Sequence, residues 1–171
     1  GGQYSNMRPQ AISLGLGEKW EEIKQTYHDV NMLFGDIIKV TPSSKVVGDL
    51  AQYLVANNMT AADVLVKGET MSFPESVEGF FMGHLGQPYG GFPEKLQKVI
   101  IKNKTPLTDR PGQHLPPVDF DKEFEIFRQQ FDAHLSITDF LSYKFYPKVF
   151  TDYFENQQKW GQVSVIPSEI F

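Results

Sequence analysis

Cysteine is absent from all 171 residues of this sequence. Its absence excludes disulfide bonds, thiolate zinc sites and cysteine nucleophiles together. Long hydrophobic runs are absent too, because no stretch approaches the ~20 apolar residues needed to span a bilayer. The start of the chain is polar and rich in glycine, which is unlike a secretory signal peptide. These features argue against a membrane as a partner.

Positive charge is scarce as well. The chain has 16 Lys and Arg against 21 Asp and Glu, for a net charge of −5 and a pI of about 5.3. No basic face is indicated, so nucleic acids and anionic membranes are poor partners. Hydrophobic residues make up 40%, below the roughly 45–50% of an average globular protein. This predicts a loop-rich domain or a piece that packs on something larger.

The length fits one domain, at most one and a half. The chain opens on Gly1-Gly2 without an initiator methionine, which favours a processed or excised segment or a cloning scar.

The apolar pattern is helical almost throughout. Trp20, Ile23, Tyr27, Val30 and Phe34 recur at steps of three and four, which places them on one stripe of a helix. Similar patterns predict seven or eight helices, at about 18–34, 42–57, from 61, 76–85, 93–102, 120–131, from 136 to 146, and from 147 to 160. Strands are predicted only at 37–40 and 163–166.

Helix starts carry recognisable caps. Asp119 is a predicted N-cap, and three pairs have capping-box spacing: Thr60 with Asp63, Ser72 with Glu75, and Ser136 with Asp139. Gly15 and Gly17 are predicted to end a helix and turn the chain rather than to bind a phosphate.

Residues that could bind a metal are not in metal-binding patterns. None of the four histidines is paired with another histidine or a carboxylate at a ligand spacing, so no metal site is predicted. Many of the 14 Phe, 7 Tyr and 2 Trp cluster at about 140–160, which predicts core packing or a subunit interface.

Residues 35–49 are unusual. Thr41 is a predicted N-cap and Pro42 the first helical residue, so Ser43 and Ser44 would lie in the first turn with free N–H groups. Lys45 adds a positive charge at the end where the helix dipole disfavours it. Two interpretations follow: a site for an anionic or strongly hydrogen-bonding ligand, or an ordinary capped helix with an exposed lysine.

The same segment, Lys39-Val-Thr-Pro-Ser-Ser-Lys-Val-Val-Gly-Asp49, resembles a signature of the pyruvate carboxylase family, in the C-terminal part of its carboxyltransferase region. Further motifs match the family in the same order, at 1–6, 14–17, 72–77, 83–88, 90–93, 110–112, 115–117 and 146–150. The resemblance covers essentially the whole chain.

The resemblance implies a mainly α fold. It predicts a multi-helix, funnel-type bundle with little strand, normally packed on a TIM barrel that is not present in this chain. Residues 1–161 would be the helical C-terminal part of the carboxyltransferase domain. Residues 162–171 would lead into the next domain, which serves tetramerisation or allostery.

The resemblance also implies an activity. The parent enzyme would be a biotin-dependent, ATP-driven ligase that transfers a carboxyl group from carboxybiotin to pyruvate, giving oxaloacetate. Thr41 matches the residue that relays a proton between the methyl group of pyruvate and the ureido nitrogen of biotin. Ser44 and Lys45 match residues that contact biotin.

The remaining machinery is expected outside this segment. It comprises the divalent-metal ligands, the ATP site and the lysine that carries biotin, so the segment alone should be inactive. The expected partners are pyruvate, carboxybiotin, the other domains of the parent chain and further copies in a homotetramer. The expected location is the cytoplasm of a bacterium, with a mitochondrion as the alternative.

Two other functions stay open. A sister carboxyltransferase, such as the oxaloacetate decarboxylase α chain or transcarboxylase, resembles this segment but has a Thr-Pro-Thr-Ser-Gln motif, whereas residues 41–45 read Thr-Pro-Ser-Ser-Lys. The other alternative is a non-catalytic helical module that dimerises through its aromatic cluster.

Overall fold

Helices dominate residues 2–161, the part of the chain that the computed structural model describes. They are Gly2–Ser13 (α1), Trp20–Leu33 (α2), Ser43–Ala56 (α3), Ala61–Lys67 (α4), Glu75–Phe81 (α5), Glu94–Ile101 (α6), Phe120–Gln130 (α7), Ile137–Phe145 (α8) and Pro147–Trp160 (α9). Short 3₁₀ turns occur at Gly17–Lys19, Gly68–Thr70 and Pro111–His114. No strand forms within the described residues, so the mainly α prediction is confirmed.

The strand predicted at 37–40 is wrong. The Val40 N–H donates to the Ser43 hydroxyl at 3.0 Å, and the Val40 carbonyl accepts the Ser44 N–H at 2.9 Å. Because both groups are used in the turn that enters α3, Val40 has none left for a strand ladder. The strand predicted at 163–166 lies outside the described residues.

The chain divides into two compact units, Gly1–Leu115 and Pro116–Phe171. In the first, the predicted stripe of α2 packs on the apolar face of α3, and both bury their side chains against α5 and α6. Phe34 lies at the centre, with its ring 5.7 Å from Phe80 and 4.9 Å from Phe81. The helical periodicity of residues 20–34 and 42–57 therefore predicted this part of the core correctly.

Helix α1 lies before the first predicted helix range, and the sequence indicated only its end, at the glycines. Its apolar pattern is weak, with Pro9 inside the helix and only Met7 and Ala11 buried. Tertiary contact holds it in place, because these two side chains pack into a cluster with Trp20 and Val55. The predicted turn at Gly15 is confirmed, since its φ is +73°. Gly17 does not end a helix as predicted, because it begins the 3₁₀ turn Gly17–Lys19.

Glycine at position 48 allows α1 and α3 to approach closely. A Cβ at Gly48 would lie 2.5 Å from Gln3 Nε2 and 3.1 Å from Met7 Sδ. The start of α1 is thereby brought against α3, where it becomes one wall of the cleft described below.

The second unit is built around aromatic rings. Phe127, Phe140 and Phe150 are buried, and rings from all three of its helices surround them. Of the two interpretations of the aromatic segment at 140–160, core packing is confirmed for Phe140 and Phe150.

Two of the three predicted capping boxes are present. Thr60 with Asp63 caps α4, and Ser136 with Asp139 caps α8. A hydrogen bond from Lys67, together with those from Thr60, holds the pKa of the Asp63 carboxyl well below its usual range. The predicted N-cap of α7 is confirmed too, because Asp119 accepts the Lys122 N–H at 3.1 Å.

The third capping box, Ser72 with Glu75, is wrong. Pro74 is the N-cap of α5, with an extended ψ of 142°, so Glu75 is the first helical residue and not the third. A capping box requires the acid at the third helical position, whereas Glu75 is at the first.

Gly68 lies where the turn after α4 touches α6, and we predict that alanine there destabilises the first unit. The backbone would accept alanine, since φ is −59° and ψ is −28°. The new Cβ, however, would lie 2.1 Å from Cγ1 of Val99, a short branched side chain with little freedom to move. Overpacking of this kind costs about 1–3 kcal/mol of unfolding free energy, measurable by urea denaturation.

A matched control is Gly112→Ala, because a Cβ there has no neighbour within 4 Å. Adding Val99→Ala to Gly68→Ala should recover part of the loss by removing the colliding methyl groups. Equal stability of the two glycine variants would contradict the contact.

Candidate functional site

Helix α3 begins one residue later than the sequence predicted. Pro42 is the N-cap and Ser43 the first helical residue, and the Thr41–Pro42 peptide bond is cis. The predicted N-cap at Thr41 and first position at Pro42 are therefore wrong. The physical reason is the tight turn in which the Val40 carbonyl accepts the Ser44 N–H. The sequence predicted that the Ser44 N–H would be free for a ligand. It is not free, because it donates to the Val40 carbonyl in this turn.

Ser43 holds this turn together. Its side chain is buried, and its hydroxyl accepts the Val40 N–H and lies 3.2 Å from the Val40 carbonyl oxygen. The buried hydroxyl thus supports the backbone on which Thr41 sits. No local pattern in the sequence indicates this role for the Ser43 hydroxyl.

Thr41 and Ser44 share a cleft, called the first cleft below. Its volume is about 580 Å³, and its other walls include Gln3 and Met7 of α1 and Tyr27 of α2. This volume lies in the range of roughly 300–1,000 Å³ that small-molecule sites occupy. The structure therefore brings two of the three predicted site residues together in a space suited to a ligand.

Tyr27 connects α2 to this site. Its hydroxyl donates to the Ser44 carbonyl oxygen at 3.4 Å, and burial raises the pKa of its phenol. The phenol therefore keeps its proton at neutral pH and acts as a hydrogen-bond donor at the start of α3. From the sequence, Tyr27 was assigned only to the apolar stripe of its helix.

Lys45 faces a different space, called the second cleft below. This cleft has a volume of about 750 Å³, and Pro42, Asp49, Ser76 and Lys104 also line it. The Lys45 ammonium donates to Asp49 Oδ2 one turn further along α3. The third predicted site residue thus lies beside Thr41 and Ser44 in sequence but not in their cleft.

The first cleft is also lined by residues that the sequence did not predict as part of a site: Lys24, Lys39 and several residues at the start of α1. No local signal could have identified the α1 residues, because their helix has almost no apolar periodicity. The Lys45–Asp49 pair could have been found, since residues four apart are neighbours on a helix surface.

The histidines do not form a metal centre. His28 contacts Asp29 at 3.2 Å, and His114 contacts Asp109. Among residues 2–161, no group of three or more His, Asp or Glu side chains could hold a metal ion. In the same part of the chain, no helix combines the length and the apolar character that crossing a membrane requires.

Comparison with known proteins places the chain in a family. The conserved carboxylase domain family matches residues 1–171. The pyruvate carboxylase of Bacillus subtilis is 52% identical over 171 residues, and that of Staphylococcus aureus is 48% identical over the same length. Each alignment covers 100% of this chain but only 15% of the relative.

Solved structures give the same result. The carboxyl transferase domain of Rhizobium etli pyruvate carboxylase matches with a TM-score of 0.91 and 47% identity, covering 97% of this chain and 28% of that domain. The complete multifunctional pyruvate carboxylase of the same organism matches with a TM-score of 0.90, and 16% of it is covered.

The chain therefore belongs to the conserved carboxylase domain family. Within that family it is similar to the pyruvate carboxylases, and it corresponds to a helical part of their carboxyltransferase domain. The resemblance inferred from the motifs is confirmed. So is the expected bundle without the barrel, since residues 2–161 contain helices and no strand.

Proposed function

We propose that this chain forms part of the carboxyltransferase site of a biotin-dependent pyruvate carboxylase, which transfers a carboxyl group from carboxybiotin to pyruvate. The observation that carries the proposal is the shared cleft of Thr41 and Ser44 at the start of α3. The family supports it, because the Rhizobium etli domain at 47% identity has been solved with pyruvate and biocytin.

Thr41 is proposed as the proton relay. A threonine hydroxyl has no pKa suited to free acid–base work, but it can donate one proton while it accepts another. Such a relay requires both partners within roughly 2.6–3.2 Å of the hydroxyl oxygen. Two observations support this role: Thr41 is exposed in the cleft, and its backbone lies in the turn held by Ser43.

Ser44 and Lys45 are proposed to contact biotin. Biotin supplies a cyclic urea whose nitrogen carries the carboxyl group, so a fitting site offers hydrogen-bond donors beside apolar surface. The first cleft has this composition, with the hydroxyls of Thr41 and Ser44 beside Met7 and Val40. Lys45 would add positive charge where negative charge develops on oxygen.

The segment by itself is proposed to be inactive. The parent enzyme needs a divalent metal, ATP and a lysine that carries biotin, and residues 2–161 contain no metal-binding cluster. We also propose that the full-length protein is a homotetramer in the bacterial cytoplasm. The bacterial location is favoured because two of its similar relatives come from Bacillus subtilis and Staphylococcus aureus. Light scattering of the full-length protein tests the tetramer.

The test of function is an assay of the full-length protein that contains this segment. We expect oxaloacetate to form from pyruvate only when ATP and bicarbonate are both present, and avidin to stop the reaction. Decarboxylation of oxaloacetate without ATP, and no carboxylation of pyruvate, would favour a sister carboxyltransferase instead. Neither activity, combined with self-association of the segment, would favour the dimerisation module.

A further inference from the structure

The contacts of Asp49 are unusual for an exposed lysine–aspartate pair. The Asp49 side chain is only 18% exposed, whereas that of Lys45 is 61% exposed. Asp49 Oδ2 accepts from the Lys45 ammonium and from the hydroxyl of Ser76, which is part of α5. The acid thus belongs to the packed contact between α3 and α5, and the lysine extends from it toward solvent.

Stabilisation of α3 does not account for this pair. A lysine in the first helical turn is unfavourable to the helix dipole. In addition, a Lys placed four residues before an acid is the weaker order for a helical ion pair. The pair therefore adds little to the helix, while the bond from Ser76 fixes the acid from a second element.

The other cation of the second cleft does not compete for Asp49. Lys104 pairs with Glu78, whose side chain is 27% exposed. The carboxylate of Asp49 is thus left to Lys45 and Ser76. Its place in the cleft fixes where the Lys45 ammonium lies.

The two clefts adjoin at the start of α3. Thr41 lines the first and Pro42, the next residue, lines the second. The hydroxyl-bearing residues Thr41 and Ser44 thus lie on the side of the first cleft and Lys45 on the side of the second, so a ligand that contacts both would have to lie across this turn.

We infer that Asp49, anchored by Ser76, is a positioning residue that holds the Lys45 ammonium at the edge of the second cleft for contact with biotin across the α3 turn. The inference rests on the proposed function, because Lys45 matters to biotin only if the chain serves carboxyl transfer. Asp49 itself would touch neither biotin nor pyruvate.

The test uses the full-length holoenzyme and the reverse half-reaction, with free biotin as the probe. The carboxyl carbon of oxaloacetate leaves the methylene carbon and bonds to the ureido nitrogen of biotin. The ureido proton passes to the methylene carbon, giving pyruvate. The biotin-stimulated rate of pyruvate formation yields KM for free biotin and kcat separately.

We expect Asp49→Asn to raise KM for free biotin about 10-fold, the size of a typical coupling between contacting residues. The KM for oxaloacetate should be unchanged. The same substitution should have no further effect in a Lys45→Gln background, because the residue that Asp49 positions is already gone. Asp49→Glu, which keeps the charge, should restore part of the affinity.

Two further variants separate positioning from folding. Ser76→Ala leaves both charges in place and removes only the anchor, so it should raise the same KM by a smaller factor. Asp152→Asn is the matched control. Asp152 pairs with Lys148 at 2.9 Å on α9, and the lysine precedes the acid by four residues, as in the Lys45–Asp49 pair. Neither residue of the control pair lines either cleft. Asp152→Asn should leave KM for biotin unchanged.

The possible failures are distinguishable. Additive effects of Asp49→Asn and Lys45→Gln on KM would overturn the positioning role and leave the proposed function intact. A normal KM in Lys45→Gln would also overturn it. No biotin-stimulated pyruvate formation by the unmodified holoenzyme would instead count against the proposed function. If Asp49→Asn does not fold, the comparison of Ser76→Ala with and without Lys45→Gln decides the same question.

Discussion

Replacing Thr41 with alanine in the full-length enzyme is expected to remove nearly all oxaloacetate formation while ATP-dependent carboxylation of biotin continues. The substitution removes the hydroxyl that would pass a proton between the methyl carbon of pyruvate and the ureido nitrogen. A positioned acid–base group contributes roughly 10²–10⁴-fold to a rate, so the loss should fall in that range. The two half-reactions are measured separately, as oxaloacetate formed and as ATP hydrolysed without pyruvate.

Matched variants at the same position distinguish the hydroxyl from the shape of the side chain. Thr41→Val keeps the shape and lacks the hydroxyl, so it should behave like Thr41→Ala. Thr41→Ser keeps the hydroxyl and should retain much of the activity. Near-normal turnover in Thr41→Ala, or inactivity of Thr41→Ser with activity in Thr41→Val, would refute the relay.

The second large effect is expected in the second unit, where Phe127→Ala should cost about 3–5 kcal/mol of unfolding free energy. Phe127 is 1% exposed and is the centre of the aromatic cluster. Its ring centroid lies 5.2–6.4 Å from those of five other rings, which are Phe124, Phe131, Phe140, Tyr143 and Phe150. Alanine would leave a cavity that α7, α8 and α9 cannot close without losing their mutual packing.

Phe145→Ala is the matched control, because it removes the same ring from a side chain that is 72% exposed. Exposed substitutions usually change stability by within about 0.5 kcal/mol. Chemical denaturation followed by far-ultraviolet circular dichroism measures both variants. A similar loss in the two would mean that Phe127 is not the centre of this core.

The helices that were predicted correctly are those whose signals are local. The stripe from Trp20 to Phe34 needs only a period of 3.6 residues to be recognised, and it is buried as expected. The capping boxes at Thr60 and Ser136 depend on two residues three positions apart, and both form. The box at Ser72 has the same spacing and fails, because Pro74 keeps the chain extended until α5 begins.

The candidate site was predicted less completely. Thr41 and Ser44 were selected by motif and meet in one cleft, whereas Lys45, the next residue, lines another. Successive residues of a helix point about 100° apart, so adjacency in a motif does not place side chains on one surface. The position of the Lys45 ammonium depends on its bond to Asp49, and Asp49 in turn accepts a hydrogen bond from Ser76. Because Ser76 is distant in the sequence, a local motif could not predict this position.

By itself, the sequence determined the helical class, the starts of α4, α7, α8 and α9, and the family, because periodicity, caps and motifs are properties of short stretches of chain. Only the tertiary structure decided the rest. It showed that residues 2–13 form a helix through packing on Trp20 and Val55. It also showed that the contact at Gly48 brings α1 beside Thr41, and that Lys45 is held by Asp49. These features depend on contacts between residues far apart in the chain, which no local pattern encodes.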